Sequence, residues 1–257
     1  EEVVLNIQGY MLKAKLPPIM RDNEVAQTKL IHTEQYVRIG GLGSGPFDQS
    51  AVAMMNIHQL FESRLGKGYL QGWDVKREQG HIVLDFHNRY LTPRSSASSA
   101  SIMDLPHDYD PRNILRSRMT DEVFTSDNVV QYYERVQDVD HQAKYHFKKL
   151  HPTSVSVGQM VEVQSSFVAV PRGKDKYKLI CKLRSICVLD RSIENVSHAH
   201  CCIEGHELNQ ERIQLALQKT SPTRKVKRVV GYEDDDSDVE ETWDEVKRMR
   251  IDEENGP

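Results

Sequence analysis

Long apolar runs are missing from this chain: no stretch approaches the roughly 18–20 consecutive apolar residues that a spanning helix needs, so no membrane is expected among its partners. The start, EEVVLNIQGYML, places two acids where a secretory signal needs basic residues, and the chain therefore reads as not secreted. Cysteine is scarce and confined to one region, at 181, 187, 201 and 202. That distribution does not frame a disulfide scaffold, and reduced thiols inside a cell are the expectation. The motifs G-x-S-x-G, H-E-x-x-H and G-x-x-x-x-G-K-[ST] are all absent, and no acid pair stands out. The one glycine cluster, GGLGSGP at 40–46, precedes a helical pattern without the lysine a phosphate loop requires, and it reads as a plain loop. No catalytic residue and no cofactor is assigned on these grounds.

What is present is a charged, moderately apolar chain of 257 residues, 38% hydrophobic and 28% charged, long enough for a sizeable core with polar appendages. The net charge of −4 conceals a division: residues 221–257 carry seven Lys/Arg against twelve Asp/Glu, which leaves the preceding 220 residues at +1. Segments with that composition are too poor in apolar residues to fold alone. The expected organisation is a mixed α and β region over 1–150, a small antiparallel β-rich, barrel-like unit over 151–220, and a disordered acidic tail over 221–257. The fold class is α+β.

Local patterns fill in this outline. EEVVLNIQGYMLKAKL reads as extended until Pro17-Pro18, and SAVAMMNIHQLFESRL as a helix capped by Asp48 or Ser50, with Val52, Met55, Ile57, Leu60 and Phe61 on an apolar stripe. YLQGWDVKR and HIVLDFH flank Glu78-Gln79-Gly80 as a β-hairpin. The serine- and proline-rich stretch near 93–111 has no periodicity and reads as a mobile loop. Val129, Tyr132, Tyr133 and Val136, followed by Ala143 and Phe147, have helical spacing, which predicts a helix from about Asp127 to Pro152. Residues 155–190 read as strands around a turn at PRGKDK, and ELNQERIQLALQK as a closing helix.

Three features carry candidate chemistry. In GKDKYKLICKLR, Lys174, Lys176, Lys178, Lys182 and Arg184 share one parity while Tyr177, Leu179, Cys181 and Leu183 share the other, predicting a buried face and a row of cations. Residues 142–184 hold nine Lys/Arg against two acids. Such a surface neutralises phosphates, and its aromatics can stack bases; its plain alternative is a solvated face with aggregation-blocking lysines. The segment SHAHCCIEGHE, if extended, puts His198, His200 and Cys202 on one face with His206 nearby, a tetrahedral zinc set. It lacks a C-x-x-C knuckle, so polar strand-and-loop residues are the preferred reading and no metal is assigned. In the tail, KRMRID resembles short nuclear import signals read by importin-α, through Lys247, Arg248, Arg250, Ile251 and Asp252. Ser237 sits among acids that an acidophilic kinase reads.

The segments TSDNVVQYYERV and VGQMVEVQSSFVAVPRGKDKYKLICKLRSICVLD resemble an uncharacterised group of fungal proteins. That resemblance covers about a quarter of the chain and implies no activity, cofactor or site residue. The reading is a non-enzymatic nuclear interaction protein that contacts nucleic acid or chromatin through the basic β face, with an import receptor as a further partner. The alternative is a metal-binding domain or enzyme built on His198–His206, and the alternative location is the cytoplasm.

Overall fold

The structure, a computed structural model, describes residues 2–137, 145–173 and 175–191. In chain order the strands are β1 (Leu5–Lys15), β2 (Glu34–Gly40), β3 (Lys76–Glu78), β4 (His81–Arg89), β5 (Thr92–Pro93), β6 (Ile102–Met103), β7 (Glu122–Thr125), β8 (Gln131–Gln137), β9 (Tyr145–Lys149), β10 (Met160–Pro171) and β11 (Tyr177–Asp190). One long helix, α1 (Gly45–Leu65), lies between β2 and β3. The described chain is thus mostly β with a single helix, and α+β describes it only loosely.

Eight strands form one mixed sheet in the order β3-β4-β2-β1-β10-β11-β8-β9. The sheet curls far enough for β11 to meet β4 in parallel through the pair Lys182↔His87. A ring of pairings, β1-β2-β4-β11-β10, results, but one bridge does not make a fully closed barrel. The described strands of the barrel-like unit expected at 151–220 do not close a barrel of their own: β10 pairs with β1 along six residues and β11 with β8 along four, so these strands complete a sheet begun at residue 5.

Of three register shifts among these strands, two decide which side chains enter the ring. Along β1, Ile7 and Met11 face the core, and the pairing then skips Leu12, with Met11 opposite Ile39 and Lys13 opposite Arg38. The extra residue inverts the alternation, so Leu16 packs inward while Lys13 and Lys15 are exposed. Along β11, Cys181 and Leu183 are core residues; Ser165 then pairs with Leu183 and Gln164 with Ser185, which leaves Arg184 as the bulge and brings Ile186 and Val188 inward. Val37, Ile39, Leu84, Phe86, Val161 and Val163 complete this interior, each burial contributing about 1.5–3 kcal/mol. Cys181 is a buried thiol in the ring interior, as its parity with Leu179 and Leu183 predicts, and Cys187, beyond the bulge, is buried against Tyr133.

Helix α1 closes one end of the ring. Gly66, at φ 100°, ends it. Its inward residues are Phe47, Ala51, Met54 and His58, four positions one turn apart, and His58 Nε2 lies 2.8 Å from the Gln71 carbonyl. The apolar stripe expected from the sequence points elsewhere: Val52, Met55 and Leu60 are exposed.

Two further expectations are revised. Residues 127–150 form no α-helix where they are described; after a 3-10 turn at Ser126–Asn128, β8 and β9 are paired antiparallel, with Tyr133 opposite Lys149. Tyr132 and Tyr133 are buried on opposite faces, Tyr132 in the ring interior and Tyr133 against Cys187, an arrangement that period-2 geometry provides and a helix does not. The stretch 93–111 contains two 3-10 turns and β6, and it contributes Leu105 and Tyr109 to a second core with Tyr90, Leu91, Leu115 and Phe124. Tyr109 sits edge-on to both Tyr90 and Phe124, at 6.1 and 5.7 Å, and its hydroxyl donates to the Val130 carbonyl at 3.1 Å.

Candidate nucleic-acid interface

Strand registers line up side chains on the outside of the ring. One row crosses four strands: Lys15 on β1 pairs with Tyr36 on β2, Tyr36 with His87 on β4, and His87 with Lys182 on β11. The next row is Lys13, Arg38 and Asp85. Arg89 lies opposite Glu34 on the same face. In the sequence, these positions recur at spacing two, as Tyr36 and Arg38 or Asp85, His87 and Arg89, which is the signature of one strand face.

Asp85 organises the centre. Its carboxylate accepts from Arg38 Nε at 2.7 Å and Arg38 Nη2 at 3.0 Å, a two-pronged grip that fixes the plane of the guanidinium. It also accepts from Lys76 Nζ at 2.6 Å and from the Tyr36 hydroxyl at 2.7 Å. Glu78 accepts from Arg38 Nη1 at 2.8 Å and lies 3.1 Å from Lys13. Burial alone would raise the Asp85 carboxyl, but the bonds from Arg38, Lys76 and Tyr36 outweigh it and hold the group well below the usual carboxylate range. Burial, with the bond to Asp85, pushes the Tyr36 phenol up to about 12. Glu34 is lowered in spite of burial by its bond to His87 and by the charges of His87, Arg89 and Lys178.

The cation row expected on β11 divides under the structure. Lys178 is exposed and near enough to Glu34 to affect it. Lys176 donates to the Gly68 carbonyl at 2.6 Å, tying the β10–β11 turn to the segment after α1. Lys182 is ion-paired with Asp127, and burial depresses its ammonium below its ordinary value. Arg184, at the bulge, is buried among Glu2, Asp127 and Ser166. The inner half of the row is therefore structural, and the outer surface instead gathers exposed Lys13, Lys15, Lys76 and Lys178 with half-buried Arg89, Lys13 and Lys76 standing beside Glu78 and Asp85; of these, sequence parity on β11 collected Lys178 alone. Lys174, the zinc set His198, His200, Cys202 and His206, the phosphorylation candidate Ser237, the import residues Lys247, Arg248, Arg250, Ile251 and Asp252, and the closing helix all lie outside the described residues. Among the described residues no group of three or more His, Cys, Asp or Glu is placed to hold a metal ion, and no helix is long and apolar enough to cross a membrane.

No protein-family model matches the chain, and neither does any curated protein. Among solved structures, the chain is similar to gp2.5, a single-stranded DNA binding protein encoded by bacteriophage T7, with 10% identity and a TM-score of 0.42 over 74% of this chain and 96% of that one. A likeness of that degree assigns neither activity nor site.

Proposed function

We propose that this chain is a non-enzymatic, single-stranded nucleic-acid-binding protein that takes the strand across the outer face of β1, β2 and β4. The observation that carries the reading is the pair of rows Lys15–Tyr36–His87 and Lys13–Arg38–Asp85 on one outward surface. Lysines at its margin meet phosphates, while the half-buried Tyr36 ring and the Asp85-gripped Arg38 plane offer flat surfaces for bases. The connectivity supports it: a meander β1-β2-β4, with β10 returning to β1 and β11 parallel to β4, follows the five-stranded OB barrel, whose second and third strands carry its oligonucleotide face. Those strands here are β2 and β4.

The test is fluorescence anisotropy of a labelled oligothymidylate with the full chain. Binding should weaken linearly with the logarithm of salt concentration, and Lys13→Glu with Lys15→Glu should reduce affinity at least about tenfold, each lost phosphate contact also flattening the salt slope. Both lysines are exposed and their bonds to Glu78 and the Glu24 carbonyl are surface ones, so the thermal midpoint should fall by no more than a few degrees and the chain should stay folded in the assay. No binding by the wild-type chain, or equal binding by the variant, rejects the assignment.

Nuclear location is a proposal from sequence: Lys247, Arg248, Arg250, Ile251 and Asp252 engage an import receptor. A reporter fused to residues 221–257 should become nuclear, and Lys247→Ala with Arg248→Ala should return it to the cytoplasm. An identical distribution of both reporters would leave the tail as a solubilising segment.

A further inference from the structure

Helix α1 turns Phe47, Ala51, Met54 and His58 inward, yet its outer side is not the charged surface that a solvated helix ordinarily presents. Between Asp48 and Glu62 the sequence QSAVAMMNIHQLF contains no acid and no Lys or Arg. Gln49, Val52, Ala53, Asn56, Gln59, Leu60 and Ser63 are all exposed, with Val52 at 55% and Leu60 at 56%, and Met55 on the flank at 40%. An exposed helix face without charge, carrying Val52 and Leu60 a turn to either side of Asn56, has the composition of an interface centre, from which charged residues are depleted.

The arrangement has a two-fold pattern. Reflected about Asn56, as in two antiparallel copies of the helix, Val52 meets Leu60, Ala53 meets Gln59, and Gln49 meets Ser63. The exposed face maps onto itself. The same operation sets Asp48, at the first turn, against Arg64, at the last, and neither makes an ion pair among the described residues. A parallel pairing would instead set Asp48 against Asp48 and Arg64 against Arg64. Charge and shape therefore agree on one partner and one direction.

We propose that α1 is a homodimer interface in which the helices of two copies pack antiparallel about a two-fold axis at Asn56. Ala53 lets the backbones approach, Val52 and Leu60 of each copy form the two apolar contacts, and the Asn56 amides pair across the axis. The helix closes the end of the ring at Gly9 and Gly41, whereas the Lys15–Tyr36–His87 row crosses toward the other end of β1 and β2, so the dimer leaves both outer faces open.

Sedimentation velocity of the full chain should show a concentration-dependent monomer–dimer equilibrium, in the micromolar range expected of an interface at the small end of the scale. Asp48→Arg and Arg64→Asp should each weaken it at least about tenfold, and the double exchange should restore it, a recovery that a folding defect does not produce. With Cys201→Ser and Cys202→Ser as background, Asn56→Cys should form a disulfide-linked dimer under mild oxidation, while Gln49→Cys should not. A monomer at every concentration up to about 200 μM, or a dimer that survives Val52→Asp with Leu60→Asp, overturns the proposal.

Discussion

Gly41→Ala is expected to destabilise the fold by about 3 kcal/mol, at the upper end of the range for overpacking a core. Gly41 follows β2 directly, and Phe47 in the first turn of α1 lies on its backbone: a Cβ at residue 41 would overlap the Phe47 Cβ and Cγ and stand 2.6 Å from Cδ1. The ring cannot slide away, because a Cβ position at Gly9 is already 2.9 Å from its Cε2 and the ring is 3% exposed. Accommodating one methyl therefore means lifting the start of α1 off the ring of strands. Chemical denaturation with a double-mutant cycle checks the mechanism. Phe47→Ala alone should cost about 3–5 kcal/mol by leaving a cavity, and adding Gly41→Ala to it should cost little more, because the clashing ring is gone. Wild-type stability of Gly41→Ala, or strictly additive costs, would show that the helix docks differently.

The second large effect is acid-dependent. Asp85 lies below its ordinary range in the folded chain because, against burial, Arg38, Lys76 and Tyr36 all bond to it. A carboxyl whose folded value lies below its unfolded one of about 3.9 contributes stability that is complete well above that value and is lost as pH falls through the acid range. Its side chain is 17% exposed, so the contribution is not screened away, and on the order of 2 kcal/mol is expected at neutral pH. Asp85→Asn should lower the thermal midpoint by several degrees at pH 7. The gap from wild type should narrow steadily below about pH 4, as the wild-type carboxyl protonates and gives up the same interaction. Glu34, also lowered, remains in both proteins and cancels in the comparison, while Glu78 shares Arg38 with Asp85, so the measured gap belongs to the Asp85–Arg38–Glu78 cluster as a unit. A gap that stays constant from pH 7 to the acid limb would mean that Asp85 acts by shape rather than by charge. Because the same carboxylate fixes the Arg38 plane, the variant should also bind single strands more weakly at pH 7, measured by the anisotropy assay under folded conditions.

Much of the strand content was legible because it depends on neighbours in sequence. Glu78-Gln79-Gly80 turns as expected, with both Gln79 and Gly80 in the left-handed region that a two-residue hairpin requires. HIVLDFH turns Leu84 and Phe86 into the core with Ile82 packed beside them, and β10 and β11 flank the expected turn. The misreading at 127–150 has a local cause: Val129, Tyr132, Tyr133 and Val136 satisfy helical spacing, but Tyr132 and Tyr133 are needed on two different faces at once. The long helix was legible as a helix but not in its orientation, since its apolar residues occupy more than one side and only docking selects Phe47, Ala51, Met54 and His58.

The candidate site shows where local reading stops. Parity along β11 grouped Lys174, Lys176, Lys178, Lys182 and Arg184, yet Lys182 and Arg184 are claimed by Asp127, more than fifty residues away in the chain. Lys13 and Lys15 follow a strand whose early parity, set by Ile7 and Met11, would have turned them inward.

By itself the sequence determined β10 and β11, the hairpin at 79–80, the existence of α1, the buried face carrying Cys181, and the partition of charge between body and tail. These follow from period, turn chemistry and composition, which act over a few residues. The tertiary structure alone decided the two bulges at Leu12 and Arg184, the meeting of β4 with β11, and hence which cations share an outer face. One extra residue in a strand inverts every side chain beyond it, and whether that residue is extra is defined only by the partner strand, so no pattern within the strand can announce it.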